Sequence, residues 1–272
     1  MKNKLTIILW VLIIFVVFYF IFQNFNHKTK LENNEPKLTE KEELVILDSF
    51  ETKILNPSND YVKFEVKYPY FKKAGDNLNK NIEDLIEKQI NDHISISKEN
   101  WQARYDTQTK GDNILQIPSL EDKFYFFSDF EIIQSNSNYI SMVLSYGGFS
   151  GGAHGYKNIV SYNYNVLNQK FMELKEIFTD DQDYLKNLST QSRQQLKKQF
   201  ATLNEEDKNN SDPQALKDYL DNITSSIDSG TEPIVENFSI FTFSPDKIKI
   251  YFAEYQVGPY AIGTPEVEFD RK

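Results

Sequence analysis

The sequence predicts an α+β body, a mixed and largely antiparallel sheet packed with about three helices, behind an N-terminal transmembrane helix. Three observations carry this. Residues 5–22 form an unbroken apolar run. Beyond it, segments of two-residue and of 3.6-residue apolar periodicity come in the order strands, helix, strands, helices, strands. That order favours α+β over a doubly wound βαβ sheet. Five of the ten glycines crowd into residues 147–155, between two strand-like segments. They mark a loop whose backbone conformation matters, because glycine alone enters positive φ freely and allows close backbone approach.

The apolar run of 5–22 would span about 27 Å as a helix, close to the thickness of a bilayer core. No small-x-small cleavage site comes after it in FIFQNFNH, so it reads as an uncleaved signal anchor over residues 1–26. Lys2 and Lys4 precede it and Lys28 and Lys30 come after it, which biases the N-terminus only slightly toward the inside. Leaders of this design export the polypeptide behind them, so the body is expected outside the cytoplasm as a single-pass membrane protein. Residues 27–43 are polar and read as a flexible stalk. The body is then 44–272, with a possible subdivision into 44–146 and 147–272.

Within the body, 44–55 reads as an irregular strand. Val62, Phe64, Val66 and Tyr68 alternate with Lys63, Glu65 and Lys67 up to Pro69, a half-buried strand that the proline is expected to end. Leu78, Ile82, Leu85, Ile86, Ile90 and Ile94 recur at three- and four-residue steps through 76–104, the clearest helix in the chain. His93 lies beside that stripe and reads as a packed residue. Segments 123–134 and 139–146 flank Ser135-Asn136-Ser137-Asn138, good turn chemistry for a hairpin. Segment 157–167 resumes strand character after the glycines. Thr179 and Gln182 have capping-box spacing for a helix over about 180–203. Asp212-Pro213 opens another, to about 227. Strands at 238–243, 247–256 and 265–269 close the chain.

Composition excludes several functions. With 40% hydrophobic residues in 272, the chain can bury a substantial core. A net charge of −10 repels phosphate backbones, which argues against nucleic acid and suits a cationic partner. The absence of cysteine removes disulfides, a thiol nucleophile, a lipoprotein anchor and cysteine-bound metal. With three histidines and no H-x-x-x-H or calcium-loop pattern, no metal site and no cofactor is expected. Gly148-Phe149-Ser150-Gly151-Gly152 fits G-x-S-x-G, but a nucleophile elbow must lead from a strand into a helix and needs a late histidine. Here strand-like sequence comes next, and the last histidine is His154. Ser150 is therefore not read as a nucleophile, and no catalytic residue is assigned.

The candidate binding residues are His154, Phe149 and Tyr156 around the glycines, and Tyr255 and Tyr260 in the aromatic run 251–263. The expected structural loop residues are Gly147, Gly148, Gly151, Gly152 and Gly155, with Gly258, Pro259 and Gly263 forming the second turn. His154 either orients the loop by hydrogen bonding or meets a ligand, and the first reading is the simpler.

These motifs occur in a characteristic order: the 61–69 strand, the 77–89 helix, Gly151-Gly152-Ala153-His154-Gly155, Asn163-Tyr164-Asn165 leading to Leu174-Lys175-Glu176-Ile177-Phe178, and Gly258-Pro259-Tyr260-Ala261-Ile262-Gly263. Over 44–269 the chain resembles the extracytoplasmic domain shared by lysozyme-sensing anti-sigma-V factors and the non-catalytic region of peptidoglycan deacetylase C. The resemblance implies an α+β binding module outside the membrane, with a lysozyme-like cationic protein or a peptidoglycan fragment as ligand. Neither a sigma-binding region nor a metal-binding deacetylase domain is read beside it, so neither of those activities is expected. A wall-acting hydrolase or deacetylase-related enzyme, or a structural envelope component, are the alternative readings.

Overall fold

The computed structural model describes residues 50–108, 117–178, 181–203 and 213–271. All of them fall within one compact unit, Leu44–Lys272. The expected anchor and stalk, the 44–49 part of the first strand, Thr179, the 204–211 loop and Asp212 lie outside the described residues. Among the described residues no helix is long and apolar enough to cross a membrane.

Six strands form one sheet in sequence order: β1 (Phe50–Leu55), β2 (Val62–Phe71), β3 (Phe124–Ser135), β4 (Tyr139–Phe149), β5 (Tyr156–Asn165) and β6 (Lys170–Phe171). All neighbours are antiparallel except β2 and β3, which run parallel. A parallel pair needs a long crossover, supplied here by helix α1 (Asp76–Gln108). The apolar stripe of α1 puts Leu78, Ile82, Ile86 and Ile90 against Val66, Phe126, Met142, Leu144 and Tyr164, all buried in one cluster. The β3–β4 turn is closed by Asn136, whose Oδ1 accepts the N–H groups of Asn138 and Tyr139 at 2.9 and 2.8 Å.

β2 does not end at Pro69, as the sequence suggested, but continues to Phe71. The reason lies in which side each N–H faces. The Lys67 N–H points to β3, where the Ser128 hydroxyl receives it. Pairing with β3 has stopped by then, at Val66↔Ser128. Two residues on, Pro69 therefore lacks its N–H on a side with no ladder to break. At Phe71 the same side is taken by Asn79 of α1, whose side chain bonds both the Phe71 N–H and its carbonyl at 2.8 Å.

The expected single sheet is in fact two, since periodicity reads strands and not their partners. β7 (Phe241–Phe243), β8 (Lys247–Tyr251) and β9 (Glu266–Asp270) form a separate antiparallel sheet. With α2 (Tyr184–Leu203) and α3 (Pro213–Gly230) it buries a second core around Leu196, Phe200, Ile227, Phe243 and Ile250. α2 starts later than expected. Its entry is shaped by Asp181, whose carboxylate accepts the Asp183 N–H and the Asn187 amide. Arg193 of α2 ties the two helices by donating to Thr231 Oγ1 and the Asp228 carbonyl. β8 stops at Tyr251, not near residue 256, and the chain then turns through residues 254–256, where Tyr255 adopts φ +68°.

A polar seam joins the two sheets. On the face of the first sheet away from α1, Ser141 donates to Asn163 Oδ1 at 2.7 Å. Asn163 Nδ2 donates to the Phe241 carbonyl at 2.7 Å, and the Phe243 N–H donates to Ser141 Oγ at 2.8 Å. The Phe241 N–H reaches Ser161 Oγ at 3.1 Å. The free edge of β7 is thus satisfied by side chains that stand on another sheet. Buried backbone groups need such partners.

This seam generates a test. Ser141→Ala leaves the buried Phe243 N–H and Asn163 Oδ1 without their shared partner, which costs about 1–3 kcal/mol. Urea and thermal denaturation should register this as a melting temperature several degrees lower. Ser145→Ala, on the half-exposed part of the same strand, should change stability by no more than about 0.5 kcal/mol.

Candidate functional site

The glycine-rich stretch resolves into strand and loop. Gly147 and Gly148 belong to β4 and pair with Lys157 and Tyr156 of β5. Gly148 is required by close approach: a Cβ there would overlap the Tyr125 carbonyl oxygen and press on the His93 ring. Gly151 takes φ +101° in the β4–β5 connection, a conformation that favours glycine. The connection is anchored to α1 by Asn100, whose Nδ2 donates to the Ser150 carbonyl at 2.7 Å. Ser150 itself lies between two strands, with no helix after it. A Cβ on Gly152 would meet only the His154 carbonyl oxygen, at an ordinary contact distance of 3.9 Å.

His154 is exposed at the tip of this loop. Its ring stacks on Tyr260 with centroids 4.1 Å apart and planes 29° from parallel. Its Nε2 lies 3.2 Å from the Tyr255 hydroxyl, and its Nδ1 2.6 Å from the Gly155 carbonyl. Tyr255 and Tyr260 are 5.8 Å apart, ring to ring. Three of the five candidate residues therefore form one surface cluster, His154 meeting Tyr255 and Tyr260 from more than a hundred positions away in the chain.

The other two sit at its edge and beneath it. Phe149 is half-buried, packed edge-on to Phe124 and stacked on Tyr125 at 6.5 Å. Tyr156 turns its hydroxyl inward, 2.9 Å from His93 Nδ1. Two further residues join the surface without having been singled out in the sequence. Tyr125 is 48% exposed, and its hydroxyl lies 3.3 Å from the position of a Cβ on Gly155. Glu254 accepts the Lys157 N–H at 3.3 Å. The Tyr260 hydroxyl has a raised pKa, first from desolvation and then from the charges of Glu254, Tyr125 and Tyr255. One signal could have found Tyr125: it is the aromatic residue on the solvent side of an alternating strand, between buried Phe124 and Phe126.

The turn that presents Tyr255 is held rigidly. Tyr255 is a non-glycine residue at φ +68° and is 59% exposed. Such a conformation costs roughly 1–3 kcal/mol and persists only where its surroundings enforce it. Gln256 enforces it: its amide accepts the Ala253 N–H and donates to the Gly230 and Asn237 carbonyls at 3.0–3.1 Å. Pro259 leads into a 3₁₀ turn at Tyr260–Ile262, and Gly263 leaves it at φ +73°.

Under the loop, His93 is only 1% exposed. It packs on Phe126 and Tyr156, and its Nε2 has no hydrogen-bond partner. Burial pushes its pKa down to about 4, against the opposing pull of the Tyr125 and Phe149 backbone. Its role is a neutral strut between α1 and the strands that carry the loop. Among the described residues no three His, Asp or Glu side chains gather as a metal site.

Comparison with known proteins matches the chain to two family models. Residues 55–157 match the family described as Deacetylase PdaC, and residues 175–272 match the protein of unknown function family DUF3298. The chain is 28% identical over 204 residues to the peptidoglycan-N-acetylmuramic acid deacetylase PdaC of Bacillus subtilis, covering 75% of this chain and 36% of that protein. It thus spans about a third of the length of the curated relative it matches. Among solved structures, a DUF3298 family member from Bacteroides fragilis aligns with a TM-score of 0.54 at 18% identity, over 83% of this chain and 91% of that one. A DUF3298 family protein from Pseudomonas aeruginosa aligns with a TM-score of 0.48 at 12% identity, over 82% and 88%. The Bacteroides structure supports the fold. His154 lies in the first matched segment, and Tyr255 and Tyr260 lie in the second.

Two expectations arise from this geometry. Gly148→Ala forces a backbone shift at the β3–β4–β5 junction, costing about 1–3 kcal/mol or more, while Gly152→Ala should melt within a degree or two of the parent. Calorimetry of both variants checks this. The second concerns pH. The fold favours neutral His93, so its contribution is fully present above the ordinary value of 6.5 and is lost as pH falls toward about 4. The total loss is on the order of 3 kcal/mol. Denaturation at pH 7, 5.5 and 4.5 should show a steeper decline for the parent than for His93→Gln, which cannot titrate.

Proposed function

We propose, from the match of residues 55–157 to the PdaC family and of residues 175–272 to the DUF3298 family, that the chain is a membrane-anchored, extracytoplasmic binding module of the cell envelope. Its ligand is a cationic protein of the lysozyme kind. The observation that carries this reading is the convergence of His154, Tyr255 and Tyr260 into one surface cluster, with Tyr255 held there in a strained backbone conformation. Strain enforced at an exposed aromatic residue is characteristic of ligand-presenting turns. Tyrosine faces beside a carboxylate suit lysine and arginine side chains, through cation–π and charge-assisted contacts. Glu254 supplies that carboxylate, and the net charge of −10 steers a cationic partner toward the body. The anchor at residues 5–22 would hold the module at the membrane. Its role is recognition, with no catalytic group assigned.

The test is a titration of the 44–272 body with a lysozyme and, separately, with soluble peptidoglycan fragments. Lysozyme should bind, more weakly as salt rises. Tyr255→Ala and Tyr260→Ala should each lower affinity by about tenfold or more, as expected for central aromatic anchors, at an unchanged melting temperature. Binding of the wall fragments in place of lysozyme would reassign the ligand. If both variants bind lysozyme like the parent, the surface is wrong.

A further inference from the structure

The surface built from the β4–β5 loop and the 253–263 turn has many hydrogen-bond acceptors and few donors. The Gly155 carbonyl, which can only accept, lies 2.6 Å from His154 Nδ1. Nδ1 therefore carries the hydrogen, and in the neutral ring Nε2 is bare. The Tyr255 hydroxyl, 3.2 Å from Nε2, must then donate to it, and its oxygen keeps only lone pairs. Tyr125, Tyr255 and Glu254 lie close enough to Tyr260 for their charges to act on its hydroxyl.

Glu254 adds a carboxylate that no cation has taken. On β9, Glu266, Glu268 and Asp270 each have a lysine Nζ within 3.2 Å. Among the described residues the Glu254 carboxylate bonds the Lys157 N–H, at 3.3 Å, and no lysine or arginine side chain. A carboxylate offers about four lone-pair sites and each phenol oxygen about two. The hydroxyl hydrogens of Tyr125 and Tyr260 are all that remain to fill them.

The group that fits carries donors alone. A guanidinium has five N–H donors in one plane, no acceptor and a fixed charge, whereas an ammonium has three donors and no flat face. The edge of that plane suits Glu254 and the phenol oxygens, and its face suits the exposed rings of Tyr125 and Tyr255.

We propose that this surface holds one arginine side chain of the cationic partner as its anchor, in preference to lysine, a proposal that rests on the recognition reading above. Glu254 receives the edge of the guanidinium. The Tyr255 oxygen accepts beside it, and Tyr125 contributes a ring and an oxygen from the first sheet. Glu254 and Tyr125 thus determine selectivity.

The test titrates the 272-residue chain with the N-acetyl methylamides of arginine, lysine and citrulline, followed by NMR. Citrulline keeps the shape of arginine and replaces its charge with a carbonyl. Arginine should bind at millimolar concentration, lysine about threefold more weakly and citrulline about tenfold more weakly. Glu254→Gln can still accept the Lys157 N–H but loses the charge, and should weaken arginine about fivefold at an unchanged melting temperature. Equal affinity for arginine and lysine or for arginine and citrulline, no binding of arginine, or an unaffected Glu254→Gln variant would overturn the proposal. Lysozyme binding that Glu254→Gln leaves intact would overturn it too. Arginine binding without lysozyme binding would support the anchor and reject only the lysozyme-like partner, so the two failures are distinguishable.

Discussion

The arrangement of this protein depends on one buried polar contact, the Ser141–Asn163 pair that receives the edge of β7. A three-stranded sheet has two edges, and an exposed edge invites unwanted pairing. Here neither is left to a further strand. β7 is met by Ser141, Ser161 and Asn163, and β9 by Gln195 and Gln199. Ser141 and Asn163 are nearly inaccessible to solvent, at 0% and 4% exposure. In so dry a place an unpaired N–H or carbonyl is costly, and the hydrogen bonds that satisfy it accept little variation in geometry. The seam therefore fixes the position of the second sheet as well as satisfying its edge.

That fixed position has a consequence at the surface. The β4–β5 loop belongs to the first sheet, and the 253–263 turn comes after β8 of the second. Only because the sheets are locked does His154 stack on Tyr260 and reach Tyr255. Each partner is also braced from its own side. Asn100, Phe124 and the contact of buried His93 with half-buried Tyr156 support the loop, while Gln256 supports the turn through three hydrogen bonds. An aromatic surface held in this way loses little entropy on binding, which is the physical basis of preorganised recognition.

Much of the fold was legible in the sequence because local patterns sufficed. The Val62–Tyr68 alternation, the stripe from Leu78 to Ile90 and the Ser135–Asn138 turn each name their element without reference to anything distant. The glycines likewise marked the β4–β5 junction, although two of them lie within β4. What the sequence hid was long-range. Nothing local tells that Asn163 will hold Phe241, 78 residues away, that three strands will form their own sheet, or that Pro69 falls on the unpaired side of β2. The same limit applies to the site. Aromatic and glycine composition pointed to His154, Tyr255 and Tyr260 separately, but Tyr125 and Glu254 became visible only through their neighbours.

The central claim is that one ligand-binding surface is assembled from both matched segments. Hydrogen–deuterium exchange of the 44–272 body, with and without a saturating lysozyme, tests it most directly. The account predicts added protection in residues 147–157 and 252–263 together, with residues 184–199 of α2 unchanged. Protection confined to other segments, or no protection in either of these two, would contradict it.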